Sequence, residues 1–299
     1  MANLRDIRRR IKSVKNTSQI TKAMQMVAAT KMRRAQLAAL ALRPYAGRLD
    51  DMAGHLYATS EKDDFAHPLL QGRKKTGKTA VIVITTEKGL CGALNTNLLR
   101  DVLKADDANK VYISVGRKGR QTLARLKKNL LADFELKDSP TFSDSKVISR
   151  FMLQKFEEKQ FDAVEIYYNR FVNTLSQVPT RYPLVPIGSH VLDVAKALGE
   201  AEKAELTAAN SVFAHPFNFE PDADALLGKL LPYYIHLELY EKILESRASE
   251  HSARMVAMKN ATDNAKQLVK DLTLEYNKAR QANITNELLE ISSAAAAMG

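Results

Sequence analysis

The stretch LRDIRRRIKSVKNTSQITKAMQMVAATKMRRA, residues 4–35, repeats apolar or small side chains at steps of three and four. Leu4, Ile7, Ile11 and Val14 open the series, and Ser18, Thr21, Gln25, Ala28, Met32 and Ala35 keep its register. An α-helix turns once in about 3.6 residues, so this rhythm gathers one narrow stripe along one face, the spacing of a coiled-coil seam. Residues 3–57 contain no Gly before Gly47 and one Pro, Pro44. They predict a single helix of roughly 80 Å at 1.5 Å per residue, with Pro44 its one candidate for a kink. A lone stripe of this kind must be buried against something.

The other end of the chain offers a match. Residues 232–296 read as a second helix of roughly 100 Å, with Pro232 tolerated in its first turn. Its seam is Ala248, His251, Met255, Met258, Thr262, Ala265, Val269, Leu272, Tyr276 and Ala279. An antiparallel pair is the simplest way to bury both stripes, since everything between can form a separate domain at one end. The second helix should then overshoot the first and finish in the bare tip SSAAAAMG.

Between the helices the period changes. Strands are expected at 80–86 (AVIVITT), 110–115, near 130–136, at 162–171 and near 176–187, with helices near 93–105, 117–128 and 143–159. That alternation predicts an α/β domain with a largely parallel sheet. The expected segments are a coiled-coil helix at 1–58, the α/β domain at 78–198, a mixed connection at 199–225, and a coiled-coil helix at 226–299. The fold class is therefore a long antiparallel coiled coil plus a central α/β domain.

Composition narrows the function. The single cysteine, Cys91, rules out an internal disulfide framework, and no apolar run approaches the ~20 residues of a membrane span. The net charge of +11 is concentrated: residues 1–50 hold twelve cations against two anions, whereas residues 240–299 hold eight of each. A charge block on one element predicts an acidic partner there. Lys22, Lys31, Arg33 and Arg34 are the candidate contact cations.

Candidates for chemistry fall away one by one. GRKKTGKT (72–79) spells a phosphate loop, but such a loop follows a strand and opens a helix, and here the strand comes afterwards. TTEKGLCGALN (85–95) and VGRKGRQ (115–121) stand at better places, yet paired glycines serve a tight turn equally well. Cys91 has no His or acid set to activate it. The six histidines show no metal-ligand spacing, and the pairs Asp63–Asp64 and Glu157–Glu158 read as solvated. Met24, Met26, Met255 and Met258 read as seam packing. No catalytic residue, cofactor or metal is expected. Three readings stay open: a shaft inside an assembly, a nucleic-acid binder with a basic coiled-coil arm, and an α/β enzyme with an appendage. Against the second, the basic stretch has no aromatic residue for stacking before Tyr45.

Five segments carry a resemblance that covers nearly the whole chain: NTSQITKAMQMVAATKMRRAQ (16–36), GLCGALN (89–95), FVNTLSQVPT (171–180), ARMVAMKNATDNA (253–265) and YNKARQANITNELLEISSAAAA (276–297). Together they are similar to the gamma subunits of F-type ATP synthases. The resemblance implies a central stalk within a ring of alpha and beta subunits, its α/β domain a foot beside the epsilon subunit and the c ring. It implies coupling of ion flow to ATP chemistry by rotation, with no nucleic-acid partner and no membrane span. By matching positions, Met24, Arg254, Arg280, Gln281 and Thr285 resemble residues that meet the beta subunits. Gly89, Gly92, Phe217 and Phe219 fall in the foot. One departure is Ala294, where the family usually has Gly, which removes local backbone freedom. The implied place is the cytoplasmic face of a bacterial inner membrane, and a lone Cys91 cannot supply the regulatory cysteine pair of chloroplast members.

Overall fold

The sequence TAVIVI, rich in β-branched residues, forms strand β1 (Thr79–Ile84), and five of its six residues are buried. A run apolar on both faces suits a strand covered from both sides. In this computed structural model, which describes residues 4–59, 67–71, 73, 76–187 and 223–298, β1 is the middle of a five-stranded sheet. In chain order the elements are α1 (Leu4–Thr59), α2 (Pro68–Gln71), β1, α3 (Leu94–Lys104), β2 (Lys110–Val115), α4 (Arg117–Arg125), β3 (Leu130–Phe134), α5 (Phe142–Glu157), β4 (Ala163–Phe171), β5 (Gln177–Val185) and α6 (Ala223–Met298). The strand order is β3-β2-β1-β4-β5. The first four strands run parallel and β5 returns antiparallel to β4.

Alternation along β1 sorts its side chains into two cores. Val81 and Val83 pack with Leu98, Leu99 and Val102 of α3 and Leu123 of α4. Ala80, Ile82 and Ile84 face the opposite core, with Ile148, Met152 and Phe156 of α5 and Leu231, Ile235, Leu239 and Ile243 of α6. Helix α5 starts on a capping box, in which Thr141 and Asp144 satisfy each other's backbone N–H.

The chain divides into two compact units, Met1–Thr30 with Arg254–Gly299, and Lys31–Ala253. In the first, the ends of α1 and α6 run antiparallel. Arg8 donates to the Tyr276 hydroxyl, and Thr262 Oγ1 lies 2.7 Å from Thr21 Oγ1. Going from 8 to 21 along α1 thus corresponds to going from 276 to 262 along α6. Every α1 seam position expected from residue 4 to residue 35 is buried or half-buried. On α6 the same holds through Ala279, and every residue from Arg280 to Ala294 is exposed.

Three expectations change. Helix α6 starts at Ala223, so Pro232 lies inside it rather than in its first turn. The hydrogen bond that proline withholds is the one to the carbonyl of Gly228, an exposed residue. α1 continues through Pro44 as one helix, as expected. Met26 is 62% exposed and Met258 5%, with Met24 and Met255 half-buried; Met26 falls one position off the seam residue Gln25. Within the expected connection 199–225, residues up to 222 lie outside the described ones, and 223–225 already belong to α6.

Candidate functional site

The turns at the carboxyl ends of β1 and β2 are where an open α/β sheet would bind a ligand. Here the chain fills the turn after β2 with atoms from the turn after β1. The first amides of α4 point at internal oxygens: Arg117 N–H to Glu87 Oε2 (3.3 Å), Lys118 N–H to the Thr86 carbonyl (3.1 Å) and Gly119 N–H to Thr85 Oγ1 (2.8 Å). Glu87 thus supplies the negative charge that a helix N-terminus favours. Gly116 has φ +104°, and a Cβ there would lie 2.3 Å from the Thr85 carbonyl oxygen, so close packing of the two turns demands glycine. Cys91 is buried, with Asn95 Nδ2 3.4 Å from its sulfur. The false phosphate loop meets the chain's own atoms at its described end, residues 76–79. The Thr76 and Gly77 amides donate to Asp162 Oδ2 at 2.6 and 2.7 Å, and β1 follows directly. Among the described residues no group of His, Cys, Asp and Glu is arranged to hold a metal.

The long helices hold the remaining candidates. Lys22, Arg33 and Arg34 are exposed and have no ion pair among the described residues. Lys31 is different, because its ammonium sits 2.6 Å from Asp138 of the same chain. Met24 and Arg254 are half-buried. Arg280, Gln281 and Thr285 lie together on the exposed end of α6, where Thr285 Oγ1 donates to the Gln281 carbonyl (2.9 Å). Ile284, Leu288, Leu289 and Ile291 share that end and are 47–67% exposed. Gly89 and Gly92 occupy the β1–α3 turn, with Gly92 exposed at φ +60°. Phe217 and Phe219 lie outside the described residues.

A further set of residues is not apparent from the sequence. From Leu231 to Ser252 no residue of α6 is exposed, although the segment carries Glu238, Glu241, Lys242, Glu245, Arg247 and Glu250. Burying charge is tolerated only when the charges are paired. Lys242 reaches Glu238 (3.2 Å) and Glu241 (3.0 Å) and lies over the ring of Tyr182. Burial alone would lower its pKa, but the two carboxylates hold it above its ordinary value. Arg247 pairs with Glu250 at 2.6 Å and donates to the Leu136 and Lys137 carbonyls (3.0 and 3.2 Å). Ser249 and Ser252 donate to the carbonyls of Asn169 (2.8 Å) and Thr174 (2.7 Å) on the β4–β5 hairpin. The helix is therefore gripped by hydrogen bonds from two loops of the α/β domain.

The sequence matches the family described as ATP synthase over residues 3–298. It is 52% identical to the ATP synthase gamma chain of Methylacidiphilum infernorum, over 100% of both chains. Two solved structures share its fold. One is a chain of the Tetrahymena thermophila mitochondrial ATP synthase central stalk and c ring, at TM-score 0.58 and 26% identity, covering 81% of this chain and 99% of that one. The other, from the Euglena gracilis mitochondrial ATP synthase, has TM-score 0.69 at 21% identity, covers 99% and 94%, and speaks for the fold alone. With two long helices, an α/β domain between them in sequence, ligand turns closed by its own atoms and a full-length match of this strength, the chain belongs to the ATP synthase gamma chain family.

Proposed function

We propose that the chain is the central-stalk rotor of an F-type ATP synthase, carrying torque between an ion-driven c ring and the catalytic alpha and beta subunits. The observation that carries this reading is α6 outrunning α1, which leaves Arg280–Ala294 exposed and studded with Ile284, Leu288, Leu289 and Ile291. Apolar side chains on an unpartnered helix need a surrounding surface to cover them. The subunit itself would be non-catalytic, a reading supported by Asp162 on the Thr76 and Gly77 amides and by Glu87 and Thr85 on the first amides of α4.

Lys22, Met24, Arg33, Arg34, Arg254, Arg280, Gln281 and Thr285 would face the ring, with Gly89 and Gly92 on the foot toward the epsilon subunit and c ring. No helix of the described residues is long and apolar enough to cross a membrane. Attachment at the cytoplasmic face of a bacterial membrane would then come through the c ring. The test is affinity capture of the tagged chain from native membranes with identification of what accompanies it. Alpha, beta, epsilon and c subunits in one rotating, ATP-hydrolysing particle are expected; capture without alpha and beta overturns the reading.

A further inference from the structure

The loop joining β3 to α5 is held from three directions within the second unit. Leu136 N–H donates to Glu87 Oε1 in the β1–α3 turn at 2.9 Å. The Leu136 and Lys137 carbonyls accept from buried Arg247 of α6. Asp138 takes the Lys31 ammonium of α1 at 2.6 Å. Two residues on, the Pro140 carbonyl accepts from the Tyr240 hydroxyl of α6 at 3.4 Å. One short loop therefore touches both long helices and the sheet's own turn.

Another place where α1 is held in this unit is fourteen residues along, where Tyr45 and Tyr233 share a hydrogen bond of 3.0 Å and Leu42, Ala46 and Leu49 join the core. At 1.5 Å per residue the two attachments stand roughly 20 Å apart. A helix held at one place pivots about it, whereas a helix held at two such places cannot swing without breaking one of them. The anchoring side is rigid: Arg247 is 3% exposed and tied to Glu250. Asp138 is kept ionised by its hydrogen bond to Lys31 and by the positive charges of Lys31, Lys88 and Arg247 around it.

We propose that residues 136–138, with Lys31 and Arg247, form a torque latch that stiffens α1 against the α/β domain, and that Lys31 and Asp138 are positioning residues for rotary coupling. The mechanical half rests on the rotor reading above; the latch itself does not. An exposed pair of this kind adds little to folding but sets how often the loop opens. In the free full-length chain, as in the assembled complex, Asp138→Asn and Lys31→Met should each quicken amide hydrogen exchange across residues 135–141 by roughly two- to fivefold. The double variant should be no faster than either single one, as expected of one shared interaction, and Lys31→Arg should remain slow. With the ring stalled, the angular spread of a probe on the α/β domain should widen in the same variants while saturating ATP hydrolysis by Asp138→Asn holds. Unchanged exchange, or additive effects in the double variant, would overturn the latch. So would an effect of Lys31→Met without one of Asp138→Asn, which would give Lys31 to another partner. Faster exchange with an unchanged angular spread would overturn its mechanical role. Failure of the chain to join alpha and beta subunits would sink the rotor reading while leaving the exchange result standing.

Discussion

His236, in the buried part of α6, is 6% exposed, and its Nδ1 lies 2.6 Å from Ser149 Oγ of α5. Burial, and then the charges of Lys146 and Arg150, push its pKa down to about 4 from an ordinary 6.5. Between those values the unfolded chain binds a proton that the folded chain refuses. Stability therefore falls as pH drops through about 6.5 and levels off below about 4. His236→Gln removes this contribution while keeping a polar partner for Ser149. Between pH 7 and 4.5 the parent should lose about 2 kcal/mol more stability than the variant, measured by denaturant unfolding of the full chain. Nothing in the sequence marks this residue among six scattered histidines. Its partner lies 87 positions away, and only the packing of α5 on α6 brings the two together. A separation of 107 positions likewise hides Asp138 from Lys31.

At the scale of the element, the seam of α1 was fully legible, because a 3-4 rhythm has one geometric meaning on a helix. The expected positions from Leu4 to Ala35 are buried or half-buried. The start of α6 was not legible. Pro232 looks like a beginning, since proline lacks the N–H a helix interior needs, yet the packing of Leu231, Ile235, Leu239 and Ile243 outweighs that local preference. The polar middle of the seam is testable. Thr262 Oγ1 lies within hydrogen-bond distance of both Thr21 Oγ1 (2.7 Å) and the Met258 carbonyl (2.8 Å), and both threonines are buried. Thr262→Val alone deprives Thr21 of a donor and should cost about 1 kcal/mol. The double change to valine should cost less than the sum of the singles, because each single already removes the one shared bond, and the hydroxyl that remains keeps its own carbonyl, Ser18 for Thr21 (3.1 Å) and Met258 for Thr262. Thermal unfolding followed by the helical signal would read this cycle.

Across the whole molecule, counting charges located the basic block but could not show which cations are already taken. Lys22, Arg33 and Arg34 are exposed without a partner among the described residues, while Lys31 is held by Asp138. Each exposed contact with an acidic surface is worth roughly 0–1 kcal/mol and is weakened by salt. A single reversal such as Arg33→Glu should lower ATP-driven ion pumping only in part. Reversing Lys22, Arg33 and Arg34 together should be severe, and the loss should shift with ionic strength. If the triple variant pumps like the parent at every salt concentration, the block is a solvated face and the electrostatic part of the coupling fails. The α/β domain was legible in outline because β-branched runs alternate with amphipathic ones. Its closed ligand turns were not, because Asp162 and Glu87 come from distant parts of the sequence.

The bare end of α6 also bears on biogenesis. Most helical stability comes from packing, and residues 280–294 of α6 are exposed throughout, beginning beside exposed Lys278 and Arg280. Trypsin should cut the free chain there readily, and should spare the same bonds once the surrounding subunits have closed around the tip. Clipping at 278–280 thus becomes a clock for assembly: the fraction resistant at a given time counts the chains already enclosed. An assembled complex clipped as fast as the free chain would mean that the tip is never enclosed. A tip this vulnerable alone also favours an order of construction in which newly made chains meet their ring quickly, since any left waiting would be shortened before they could turn.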